Sequence, residues 1–128
     1  MRPFEEAVAA ELAGLLRAGV PPRGISITVR EMLVTRLERG QLGPREVSEA
    51  VEAAVRSAYR LVHELGASDE LAEIVCRSAL EAVRGHGGES ARWLAEATSA
   101  AHAVLDELVL ERPDEAIWRW LAGRLPRW

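Results

Sequence analysis

Residues 44–84 read PREVSEAVEAAVRSAYRLVHELGASDELAEIVCRSALEAVR, and their pattern decides the fold. Pro44 stands where a helix can begin without losing a backbone donor. Val47, Val51, Ala54, Val55, Ala58, Leu61, Val62 and Leu65 then recur at three- and four-residue steps. Gly66 interrupts the pattern, Ser68 offers a capping oxygen, and a second stripe follows in Leu71, Ile74, Val75, Ser78, Ala82 and Val83. The spacing predicts helices over about 44–65 and 69–84, and the short loop between them makes the pair antiparallel.

The chain also echoes itself softly. Arg56-Ser57-Ala58 and Arg77-Ser78-Ala79 lie 21 residues apart, and Thr98-Ser99-Ala100 follows at the same interval. Twenty-one residues are three heptads, but Gly66 and the Gly85-His86-Gly87-Gly88 run exclude one long coiled coil. The echo predicts small-residue seams where three helices meet. The third of these covers about 90–111, with Leu94, Ala97, Ala101, Val104, Leu105 and Leu108 inward, so the centre of the fold is a hairpin array over 44–111.

Working outward, a first helix is expected over about 3–18, with Pro3 near its start, Glu5 and Glu6 in its first turn and Gly19 just past its end. Its stripe is Phe4, Val8, Leu12, Leu15 and Leu16. Residues 19–24 read as a stiff loop. The next segment, Ile25-Ser26-Ile27-Thr28-Val29, alternates like a short strand. Thr28 and Glu31, however, have capping-box spacing, with Ile27 and Met32 placed as the flanking staple. A lone strand would have no partner, so a helix is expected from Thr28 to Arg39. Pro113, followed by Asp114 and Glu115, opens a last helix over 113–125. The expected fold is all-α: one domain over 1–128, about six helices in a compact antiparallel bundle, with no significant sheet.

Composition bounds the chemistry. A chain of 128 residues can bury a core without disulfides, and with one Phe and one Tyr that core must rest on Ala, Leu and Val. All 16 basic residues are Arg, which fits codon bias in a GC-rich genome better than selection for phosphate recognition. The Ala-rich helices resemble those of many small bacterial helical proteins, a likeness that carries no function. Residues 1–45 hold seven Arg against five Glu, 46–112 six Arg against thirteen acids, and 113–128 three Arg against two acids. That acidic middle opposes general nucleic-acid binding. The single Cys76, with no apolar leader and no long apolar run, leads to a cytoplasmic expectation.

No catalytic constellation emerges. No two histidines stand at helical ligand spacing and no Glu-x-x-His pair occurs. Antiparallel folding could bring His63 and His102 level with Glu70 or Glu73, but solvated histidines are the preferred reading, so no metal or cofactor is expected. Cys76 sits by the apolar stripe of its helix, where a thiol is inert. Ser57, Ser78 and Ser99 lack a nucleophile elbow. The Gly85–Gly88 run lacks the Lys-Ser/Thr of a phosphate loop. A helix-turn-helix over 28–65 would present Glu46, Glu49 and Glu52 to DNA phosphates.

The most unusual local composition is at 117–128, Ile-Trp-Arg-Trp-Leu-Ala-Gly-Arg-Leu-Pro-Arg-Trp, which holds three of the four Trp, three Arg and no acid. Trp and Arg beside an apolar face serve both protein hot spots and interfacial helices. A final helix that closes the bundle with its Trp rings has the same composition. The sequence thus leads to a non-enzymatic protein-interaction module (an adaptor, regulator or assembly factor) contacting a partner protein through Trp118, Arg119, Trp120, Arg124, Arg127 and Trp128. Acidic outer faces such as Glu49, Glu52, Glu73 and Glu81 are further candidates, and self-association would cover apolar area on the Ala-rich faces. The alternative is peripheral contact with membranes or lipid particles through the same C-terminal segment.

Overall fold

The computed structural model describes residues 3–39, 43–85 and 90–127. Among them are six helices and no strand: α1 (Pro3–Arg17), α2 (Pro22–Arg39), α3 (Pro44–Leu65), α4 (Asp69–Arg84), α5 (Ser90–Glu111) and α6 (Ala116–Arg124). Buried side chains from all six join one contiguous core. The all-α bundle read from the sequence is the fold observed.

The α3–α4 hairpin forms the middle of the bundle. Pro44 begins α3, and α3 ends at Gly66, whose positive φ of 65° is a left-handed conformation that glycine adopts without steric cost. Ser68 caps α4 by accepting from the Leu71 backbone N–H at 3.2 Å. On one side of this hairpin α1 lies along α3 while α2 lies along α4. On the other, α5 packs against both hairpin helices and carries α6 on its flank. Because α1 and α2 rest on different supports, they touch each other little.

Two helix starts differ from expectation. Helix α2 begins at Pro22 instead of Thr28, so residues 22–24 are helical and not loop. Pro22 loses no hydrogen bond at the first helical position, and the Pro21 carbonyl accepts from the Gly24 and Ile25 N–H groups. Thr28 therefore lies inside the helix and caps nothing, its hydroxyl donating to the Gly24 carbonyl at 3.0 Å. At the other end, Pro113 and Asp114 form a turn, closed by the Glu115 N–H donating to the Arg112 carbonyl at 3.0 Å, and α6 starts only at Ala116. The Glu115 side chain is engaged elsewhere, as described below.

The small-residue seams are real but uneven. Ser57 is fully buried and donates to the Ala53 carbonyl, with its hydroxyl 3.4 Å from the Glu5 carbonyl of α1. Ser78, 2% exposed, meets Ser26 of α2 hydroxyl to hydroxyl at 2.8 Å. Ser99 breaks the series: it is exposed, and its neighbours Thr98 and Ala100 are buried instead. The two inner serines thus mark where α1 and α2 seat on the hairpin, and three helices do not meet at one seam.

Candidate functional site

The C-terminal segment singled out by the sequence is held to the bundle at three points. At its start, the Glu115 carboxylate accepts from the Trp118 indole N–H and from His63 Nε2, both at 2.8 Å on the same oxygen. An ionised carboxylate can only accept, so His63 carries its proton on Nε2. The Trp118 and His63 hydrogen bonds hold the Glu115 carboxyl below its usual range. Tyr59 packs between them, its ring 4.3 Å from His63 and 5.3 Å from Trp118, with the Arg112 guanidinium 5.9 Å from its face. Trp118 itself is 0% exposed, the largest fully buried side chain of the core.

At the far end of α6, Glu73 of α4 accepts from Arg77 Nε at 2.7 Å and from Arg124 Nε at 2.9 Å. Arg77 also donates to the Arg124 carbonyl at 2.9 Å, and the Arg124 guanidinium lies 5.0 Å over the Trp120 ring. The Glu73 side chain is 12% exposed, and this burial works against its charge; the Arg77 and Arg124 hydrogen bonds outweigh burial and hold its pKa below the ordinary value. The third point is the tail. His102, 4% exposed, donates from Nε2 to the Pro126 carbonyl at 3.2 Å.

The Glu73 anchor has a testable pH signature. A carboxylate with a depressed folded pKa adds stability above its unfolded value, and that stability is lost as pH falls through the folded value. Glu73→Gln is therefore expected to lose about 1 to 2 kcal/mol at neutral pH. The gap from the parent protein should stay level above the ordinary glutamate value of 4.5 and close below it. Urea unfolding between neutrality and strong acid checks this; a gap that widens on acidification would contradict it.

Of the six residues expected to meet a partner, Trp118 is inside the core, Arg124 is tied to Glu73, and Trp120 is half-buried under Arg124. Arg119 and Arg127 are exposed, and Trp128 lies outside the described residues. His63 and His102 go to separate partners, so the layer of His63 and His102 with Glu70 or Glu73 is not assembled; His86 lies outside the described residues. No group of three His, Cys, Asp or Glu able to hold a metal occurs among the described residues. Cys76 is fully buried, and burial pushes its thiol up to about 12, which keeps it protonated and unreactive. Among the described residues, no helix is long and apolar enough to cross a membrane.

A second region escaped the sequence reading. Where α1 and α2 diverge, a surface groove of about 490 Å³ opens, floored by Phe4, Ala7 and Met32. Glu11 and Glu31 border one end, and Arg36 and Arg39 the other. Arg36 lies 5.8 Å over the Phe4 ring, and a further 410 Å³ hollow continues past Phe4 to Glu49 and Ala53 of α3. None of the four bordering charges makes an ion pair within 4.0 Å among the described residues, whereas Arg30, Arg45, Arg56, Arg60, Arg77 and Arg124 all do. The one sequence signal for this groove on α2 was Met32, an apolar side chain away from the core stripe of Ile25, Val29, Leu33 and Leu37.

Comparison with protein-family models, with curated proteins and with solved structures finds no match to this chain.

Proposed function

We propose that the chain is a non-enzymatic helical interaction module that docks a protein partner through the α1–α2 groove. One observation carries this reading: a groove with an apolar floor and four bordering charges that form no ion pair among the described residues. An apolar floor supplies affinity on burial, while charges at the ends set register and orientation. The sequence-derived expectation of a partner at the C-terminal segment is less well supported by the geometry. A partner seeking Trp118 must first pull it from the core, and Arg124 must leave Glu73. Arg119 and Arg127 remain as accessible cations at that end of the bundle.

A photo-crosslinking residue tests the reading. Placed at exposed Ala7 in the groove it should give a discrete adduct in native extract, whereas at exposed Ala103 on α5 it should give none. The adduct should vanish in an R36E/R39E background. Absence of any Ala7 adduct, or equal labelling at Ala103, overturns the proposal.

A further inference from the structure

The charges along the groove fit one occupant in particular, a second copy of the same groove. The two helices run antiparallel. Phe4, at the start of α1, lies beside Arg36 near the end of α2, while Leu16 and Arg17 lie beside Pro22 at the start of α2. At 1.5 Å per residue, Glu11 stands about 10 Å along α1 from Phe4, and Glu31 stands about 7 to 12 Å along α2 from Arg36 and Arg39. The groove is therefore acidic at one end and basic at the other.

A two-fold axis lying across such a groove reverses its direction in the partner. The acidic end of each copy then meets the basic end of the other, twice over. Residues close to the axis meet their own counterparts, where a charge would be repelled. Ala7 lies about halfway between Phe4 and Glu11, and Thr35 is the uncharged groove residue between Glu31 and Arg36. Both are exposed and uncharged, and both line the groove. Charge pattern and central residues thus agree on the same symmetry.

We infer that the α1–α2 groove is the interface of a symmetric homodimer in which α2 lies on α2, Glu31 of each copy faces Arg36 and Arg39 of the other, and Glu11 adds its charge at the same acidic end. This rests on the groove being a docking surface, as argued above. Helices of 15 and 18 residues offer a face of roughly 400 Å² per copy, about 800 Å² in all, which is below the size of stable specific interfaces and in the range of weak, transient contacts. The dimer is therefore reversible and concentration-dependent.

Sedimentation velocity on the purified chain, from low-micromolar to several hundred micromolar, is the test. The parent protein should shift from its 14.0 kDa monomer to twice that mass. R36E/R39E makes all four border positions acidic and E11R/E31R makes them all basic, so each alone should weaken the dimer roughly tenfold or more. Mixing the two variants should restore it, because every facing pair is again opposite in sign. That rescue also guards against misfolding of either variant. A parent that stays monomeric throughout overturns the inference, as does a dimer indifferent to both variants or a mixture that stays monomeric. If the parent is monomeric while Ala7 crosslinks to a different protein, the second copy is wrong and the docking groove stands. If Ala7 crosslinks to nothing, both fall.

Discussion

Trp118→Ala is expected to remove about 3 to 5 kcal/mol of folding stability, a loss that no other single truncation in this chain should exceed. The side chain is fully buried, so its removal forfeits a large transfer free energy and leaves a cavity beneath α6. It also takes one of the two hydrogen bonds from the Glu115 carboxylate, and with it part of the tie between α6 and His63. For a chain this size the melting temperature should fall by about 10 °C or more. Trp120→Ala, at a half-buried position, should cost far less. Thermal unfolding of the two variants side by side decides the matter. If both melt within about 2 °C of the parent, α6 is not a working part of the core and its face is free for a partner.

Leu33→Ala is expected to cost about 2 to 4 kcal/mol, with a different signature. Helix α2 contains Gly24, Ile25, Ile27, Thr28, Val29, Val34 and Thr35, residues that lower intrinsic helix propensity through backbone freedom or restricted χ1. Its helical state depends on the stripe Ile25, Val29, Leu33 and Leu37 seated mainly on α4, where Leu33 is fully buried. Truncating Leu33 should thus open α2 before the rest of the bundle. Native-state hydrogen exchange should show protection lost across 22–39 while α3 and α5 retain theirs. A uniform loss over every helix would mean that α2 unfolds only with the whole.

Helices α3, α4 and α5 were legible in the sequence almost to the residue, because each has terminal punctuation and a clear apolar stripe. Helix α2 was only half legible. Its β-branched run imitates a strand, and the capping-box spacing at Thr28 concealed the stronger start at Pro22. In α6 the same logic failed in reverse, since Pro113 can open a helix but here serves a turn that delivers Glu115 to His63 and Trp118. Trp93 and His102 are buried although neither belongs to the stripe read for the fifth helix. That stripe assumed one covered face, whereas α5 contacts α3, α4 and α6. The groove was not legible because it depends on which helix rests on which. Nothing in 3–39 alone says that α1 and α2 sit on different members of the central hairpin.

The anchors of the last helix carry a consequence for how the molecule comes into being. His63 waits for Glu115, Glu73 and Arg77 wait for Arg124, and the seat of Trp118 beside Tyr59 stays empty until α6 arrives. A growing chain emerges from the ribosome in order, so α1 to α5 can assemble while that seat is still uncovered. The nascent bundle thus passes through an interval in which Tyr59, His63 and the flank of α5 face solvent. A chaperone reading exposed aromatic surface on the nascent chain would find it there, and lose it once α6 closes.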